Sequence, residues 1–174
     1  MSDFYQRIVD EQGGLEDLIR KIPGFKGYLE KEDRREADRL LRDHVVRLFE
    51  EKLVEFTQLQ KRFVDSGGIM YMERVQGITT GLQTFIDRVH TAPRGYAGLF
   101  DAIKVNEEEL AQLYAFDNAL LAYADRLGEL LATFGQAVDA NEGFDNAFRV
   151  LEEFMTEINN LFKQRGEVLS NLAV

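Results

Sequence analysis

The chain has two imidazoles, His44 and His90, and no thiol. The missing cysteine excludes thiol catalysis, a disulfide scaffold and zinc held by thiolates. Its three serines, Ser2, Ser66 and Ser170, each fall at a terminus or a helix boundary. No spacing aligns one of them with a histidine and a carboxylate, as nucleophilic catalysis by a triad requires. A phosphate-cradling Gly-x-x-x-x-Gly-Lys-Ser/Thr is absent, and so is a strand-linked Gly-x-Gly-x-x-Gly. Gly95-Tyr96-Ala97-Gly98 lacks the preceding strand and the internal nucleophile of a hydrolase elbow. The expectation is no catalytic set and no cofactor.

The remaining chemistry depends on which residues a fold brings together. His44 lies 23 residues before Gly67 and His90 lies 23 after it. If the chain reverses at Gly67, the two rings sit at one height, roughly 35 Å from the turn at helical rise. Asp43 and Asp87 are close to them in sequence, and Glu107 and Glu108 lie at the same end if the connector folds back locally. Two imidazoles with carboxylates can bind zinc or iron. Di-iron bundles, however, take their histidines from Glu-x-x-His, and this chain has none; Asp87-Arg88-Val89-His90 is the nearest echo. No metal is expected, and His44 and His90 are the candidates if one binds.

A second constellation is an ion pair. Asp117 and Arg165 are each the one charge in an otherwise apolar helical stripe. Reversal near residue 141 puts them side by side. Two buried opposite charges are expected to pair, because a lone buried carboxylate costs several kcal/mol or stays protonated.

These placements require long helices, and the apolar spacing predicts them. Segment 3–22 carries a loose stripe broken by Gly13-Gly14 and ended by Pro23-Gly24, so it reads as a helical arm, one helix or two. Segment 29–65 carries Leu41, Val45, Leu48, Phe49, Leu53, Phe56, Leu59 and Phe63, with phenylalanines at seven-residue spacing, as in a helix packed along another. Segment 69–91 repeats Tyr71, Val75, Ile78, Leu82, Phe85 and Val89, and its Gly77 and Gly81 predict a close approach by a neighbouring helix. Segment 106–140 begins with Asn106 and Glu109 spaced as a capping box and is apolar over the widest arc, so it is expected to be the most buried. Asn141 is expected to cap the last segment, which runs to about residue 172. The tetrapeptide Phe-Asp-Asn-Ala occurs at 116–119 and again at 144–147; with flanks alike only in hydrophobic pattern, it does not indicate a duplicated repeat.

The fold expected is all-α: an antiparallel up-down-up-down four-helix bundle over residues 29–174, preceded by an N-terminal arm over 1–28 that packs on its own bundle or swaps to another. Short turns near 67 and 140 make their flanking helices antiparallel neighbours. The long connector 92–105 offers Arg94, Tyr96, Leu99 and Phe100 either as a binding loop or as a lid on the bundle end.

Charge narrows the partners. The 31 acids and 21 bases give −10. Residues 106–174 hold 13 acids and 4 bases, a net of −9, which repels nucleic-acid backbones and anionic lipid. The alternating run Glu30–Arg39 reads as a solvated helix face. No apolar run approaches the roughly 20 residues of a membrane span. Weak surface contact through 15–29, where Arg20, Lys21 and Lys26 flank apolar residues, is disfavoured by the net acidity. The acidic start Met1-Ser2-Asp3 does not read as a signal peptide, so a cytoplasmic location is expected. The functional expectation is a non-catalytic interaction or scaffold protein, self-associating or binding a protein partner. The alternative is a bundle holding a small ligand or one metal near the His44/His90 level.

Overall fold

A computed structural model describes residues 3–11, 14–92, 100–102 and 104–171. Among them are six α-helices and no strand: α1 (Asp3–Glu11), α2 (Gly14–Lys21), α3 (Arg34–Asp65), α4 (Met72–Thr91), α5 (Glu107–Ala140) and α6 (Phe144–Asn171). A 3-10 turn, Gly68–Tyr71, leads into α4. The chain is all-helical over these residues, and none of the described helices is long and apolar enough to cross a membrane.

The helix ends follow local chemistry. Asn106 Oδ1 accepts from the Glu109 amide at 2.8 Å while Glu109 Oε2 accepts from the Asn106 amide at 3.0 Å. This reciprocal box satisfies two amides at the start of α5. Between α3 and the 3-10 turn, Gly67 takes φ 95°, a left-handed value that suits glycine.

Three boundaries differ from the sequence expectation. Residues 29–33 are bends and turns, and α3 starts at Arg34. The guanidinium of Arg34 folds back onto this segment: Nε donates to the Tyr28 carbonyl at 2.8 Å and Nη2 to that of Leu29 at 3.3 Å. Carbonyls that a helix would have satisfied are bonded to a side chain instead. Residues 69–71 are 3-10 and not α. Asn141 does not cap the last helix; with φ 55° and ψ 37° it closes the preceding one, its amide bonding to Ala137 and Val138 carbonyls. Left-handed Asn is a known helix terminator.

The helix α5 lies at the centre. It packs against α1, α2, α3 and α6, while α4 packs against α3 and α6. Six consecutive α5 residues, Phe116 to Leu121, are buried, which requires cover on every face of the helix. The N-terminal residues supply part of that cover. Phe4 meets Tyr123 edge-on at 4.8 Å, Tyr5 meets Phe116 at 5.4 Å, and Asn118 Nδ2 donates to the Gly14 carbonyl at 2.7 Å.

Contact partners fix the numerical order of facing residues. Between α3 and α4, Arg42 meets His90, Phe49 meets Phe85 and Gln60 meets Thr79. Between α5 and α6, Asp117 meets Arg165, Tyr123 meets Glu157 and Phe134 meets Phe148. One number rises as the other falls in both pairs. Between α3 and α5 both rise together, as in Phe56 with Phe134 and Arg62 with Asp139. The same holds between α4 and α6: Arg74 meets Glu152, and Arg88 meets Asn159. Gly81 lets α6 approach, since a Cβ there would lie 3.3 Å from Met155 Cε; Gly77 has nothing within 4 Å.

Candidate functional site

At one end of the long helices a set of ionisable side chains is withdrawn from solvent. Arg165, Asp117, Asp38 and Tyr28 are fully buried, and Arg34 and Arg42 nearly so. Arg165 Nε donates to Asp117 Oδ1 at 2.6 Å, and its Nη2 donates to Asp38 Oδ1 at 3.1 Å and to Tyr28 Oη at 3.3 Å. Tyr28 Oη donates in turn to Asp117 Oδ2 at 2.7 Å. Arg42 Nε donates to Asp38 Oδ2 at 2.8 Å, and its Nη1 reaches the His90 carbonyl at 3.3 Å. Helices α3, α5 and α6 and the irregular segment before α3 thus meet at one guanidinium. The planar fork of Arg suits this, because its donors point in fixed directions.

Surrounding bonds hold the Tyr28 loop in place. The Tyr28 amide donates to Tyr114 Oη at 3.0 Å, and Arg34 Nη1 donates to the Ala102 carbonyl at 2.8 Å. A Cβ on Gly27 would stand 2.7 Å from Tyr114 Oη, so only glycine permits this approach to α5. Burial raises the Asp117 carboxyl above the usual aspartate range, against the opposing charge and hydrogen bond of Arg165. Burial, then the charge of Asp117, pushes the Tyr28 phenol well up. Each side chain here works on another side chain or on a backbone carbonyl. The arrangement holds these four segments in one geometry. Buried ion pairs contribute little net stability against an apolar core but strongly penalise loss of one partner.

The sequence singled out Asp117 and Arg165 and missed Arg34, Asp38 and Arg42; the first two lie in the Glu30–Arg39 run that it assigned to a solvated helix face, and Arg42 lies just beyond it. Glu30–Arg39 is therefore not a uniformly solvated face. The signal was available: Asp38 lies three residues before Leu41 and seven before Val45, so it continues the apolar stripe of α3. The stripe was read only from its first apolar residue onward.

The histidines are not gathered into a site. His44 Nδ1 lies 3.1 Å from Arg47 Nη2, and partial burial, with the Arg47 charge second, lowers its pKa. The His90 side chain is exposed, and its carbonyl accepts from Arg42. Among the described residues, no group of three or more His, Asp and Glu is placed to hold a metal ion. Of the connector candidates, Arg94, Tyr96 and Leu99 lie outside the described residues. Phe100 is buried, with the Arg35 guanidinium 4.5 Å above its ring.

Two surface cavities are lined by other residues. One of about 320 Å³ is bordered by Tyr5, Tyr123, Glu157 and Glu167. Its carboxylates are engaged: Glu157 accepts from Tyr123 Oη at 3.1 Å and Arg126 at 2.5 Å, and Glu167 pairs with Lys163 at 3.7 Å. A shallow cavity of about 500 Å³ is lined by Thr57, Gln60, Lys61, Val64, Asp65 and Met72. Beside it the 3-10 turn exposes Ile69 and Met70, the latter 93% exposed. Val54, Val64 and Met72 are exposed on the same helices. No protein-family model matches the chain, and no curated protein or solved structure matches it either.

Proposed function

We propose that the protein is a non-catalytic interaction module whose working surface is the α3–α4 turn. The observation that carries this reading is the projection of Ile69 and Met70 into solvent beside the shallow cavity lined by Val64 and Met72. Exposed apolar groups gathered in one place, rimmed by polar ones, suit a protein interface, and methionine adapts to varied partner shapes. The buried Asp117–Arg165 network supports the non-catalytic part, because its hydrogen-bonding groups are directed inward.

The architecture that we assign is an up-down-up-down four-helix bundle of α3 to α6, covered on one side by the N-terminal arm. The orders of facing residues support antiparallel α3/α4 and α5/α6 hairpins. They also support parallel neighbours α3/α5 and α4/α6. The bundle acts as a rigid post that presents the turn. We assign its action to the cytoplasm.

The test is a photo-crosslinking residue placed at Met70 in cells that produce the protein, with the same residue at the exposed Gln112 on the opposite end as control. Discrete protein adducts from position 70 and none from 112 are the expected result. Equal yields at the two positions, or none at 70, would remove this reading.

A further inference from the structure

The partner of the α3–α4 turn is, we infer, a second copy of the same chain, bound face to face about a two-fold axis. The inference rests on the turn being the working surface and adds what occupies it.

Charge selects the partner. The chain as a whole carries −10, so two copies repel over most of their surface. Arg62 and Arg74 at this end are already paired with Asp139, Asp145 and Glu152, but the cavity wall itself is balanced, with one cation, Lys61, and one anion, Asp65. A wall with one charge of each sign is a place where two copies approach without net like-charge repulsion. Lys61 and Asp65 sit one helical turn apart on the cavity wall, both exposed. Neither forms an ion pair with a described residue. A two-fold axis crossing α3 at the level of residue 63 sets Lys61 of each copy opposite Asp65 of the other. A face that carries one of each sign with the axis between them is complementary to itself.

Shape agrees with charge. The 3-10 turn carries Met70 beyond the end of α3, while the cavity opens over the last turns of α3 toward Thr57. The same rotation carries each Met70 toward the Thr57/Gln60 part of the other copy's cavity. Each copy thus offers a knob and a hole on one face, as an isologous dimer needs. The exposed side chains of Val54, Val64, Ile69, Met70 and Met72 amount to a patch on the order of a few hundred Å². That is below the roughly 800 Å² per partner of a standard stable interface, so the dimer is weak and forms with rising concentration.

Sedimentation equilibrium of the full chain, from micromolar to millimolar, tests this at low and at moderate salt. The expected result is a monomer–dimer equilibrium. Met70→Glu should weaken it by on the order of 30-fold, because docking would take the carboxylate out of water. Lys61→Asp alone and Asp65→Lys alone should each weaken it, and the double exchange should restore it. Restoration by the exchange is a readout that a folding defect cannot mimic. A chain that stays monomeric at millimolar concentration overturns the inference, as does a dimer indifferent to Met70→Glu or to the charge exchange. The photo-crosslinker at Met70 separates the two levels. A discrete adduct with a different protein, in a chain that does not dimerise, overturns the second copy and leaves the interaction surface standing. No adduct of any kind overturns both.

Discussion

The tetrapeptide Phe-Asp-Asn-Ala occurs twice in this chain and has two fates. At 116–119 all four residues are buried. Asp117 is bonded to Arg165 and Tyr28, and Asn118 donates to the carbonyls of Gly14 and Tyr114. At 144–147 the Asp and the Asn stand in solvent. The side chain of Asp145 is 82% exposed and touches Arg74 at 3.1 Å, and Asn146 accepts from Arg149 on the next turn of its own helix. Phe144 packs on Phe63 at 4.8 Å, so the apolar member is used at both sites. The local sequence is the same in the two places. The difference is that the N-terminal helices cover the outer face of α5 at the first. A helix turn does not carry its own burial; the elements that arrive on top of it decide that.

The two ends of the long helices differ in the same way. Around residue 63 the core is aromatic: Phe63 contacts Phe134, Phe144 and Phe148 at 4.8 to 5.6 Å between ring centres. Such contacts are strong and tolerant of small shifts. Around Arg165 the core is ionic, and its bonds demand one geometry.

The largest test of that contrast is Arg165→Ala, which leaves the Asp38 and Asp117 carboxylates buried without their shared guanidinium. Unfolding in urea should show a loss of about 4–5 kcal/mol. Replacing Arg165, Asp117 and Asp38 together by apolar residues of similar volume should recover most of it. Failure of that recovery would mean that the network stabilises the fold beyond fixing its geometry. The tetrapeptides supply the next test. Asp117→Ala should cost about 3 kcal/mol, whereas Asp145→Ala should cost less than about 0.5 kcal/mol. Equal losses by the same denaturation measurement would end the comparison. Tyr28→Phe removes one hydroxyl from the network and keeps the ring, so a loss of about 1–2 kcal/mol is expected.

The smallest effect is in pH. Hydrogen bonding to Arg74 lowers the Glu152 carboxyl, and this bond joins α4 to α6. A lowered carboxylate favours the folded state above the ordinary glutamate range. That contribution disappears as pH falls through the lowered folded-state value. Glu152 is 45% exposed, so the term is a few tenths of a kcal/mol after screening. Thermal melts of the wild-type chain and Glu152→Gln should differ at neutral pH and converge in acid. Asp117, whose carboxyl is raised, works in the opposite sense. Its ionisation opposes folding, so acid does not weaken the fold through this group.

Much of the local structure was legible because it depends on near neighbours. The capping box at Asn106 and Glu109 needs three residues' separation and nothing else. The stripe of α4 from Val75 to Val89 is a period, visible without a partner. Asn141 shows where that legibility ends: an Asn between two helices can start one or stop the other, and its left-handed conformation decides for stopping. Residues 29–33 were read as helix because their charges alternate plausibly on one. The Arg34 guanidinium bonds the Tyr28 and Leu29 carbonyls at the head of this segment instead, a competitor that lies outside any propensity.

For the ion network the division is sharper. Asp117 and Arg165 were legible as lone charges in apolar stripes, and a turn near 141 set them level. Asp38 and Arg42 lay among so many exposed charges that composition hid them. Tyr28 sits on no periodic element, so no pattern could have indicated it.

The sequence by itself determined that the chain is helical, where its long helices end, and which faces are apolar. Those properties follow from backbone bonding and a 3.6-residue period, both local. Only the tertiary structure decided which charges leave water. That choice requires several distant segments to arrive at one point, and each buried charge is tolerable only when all its partners are present.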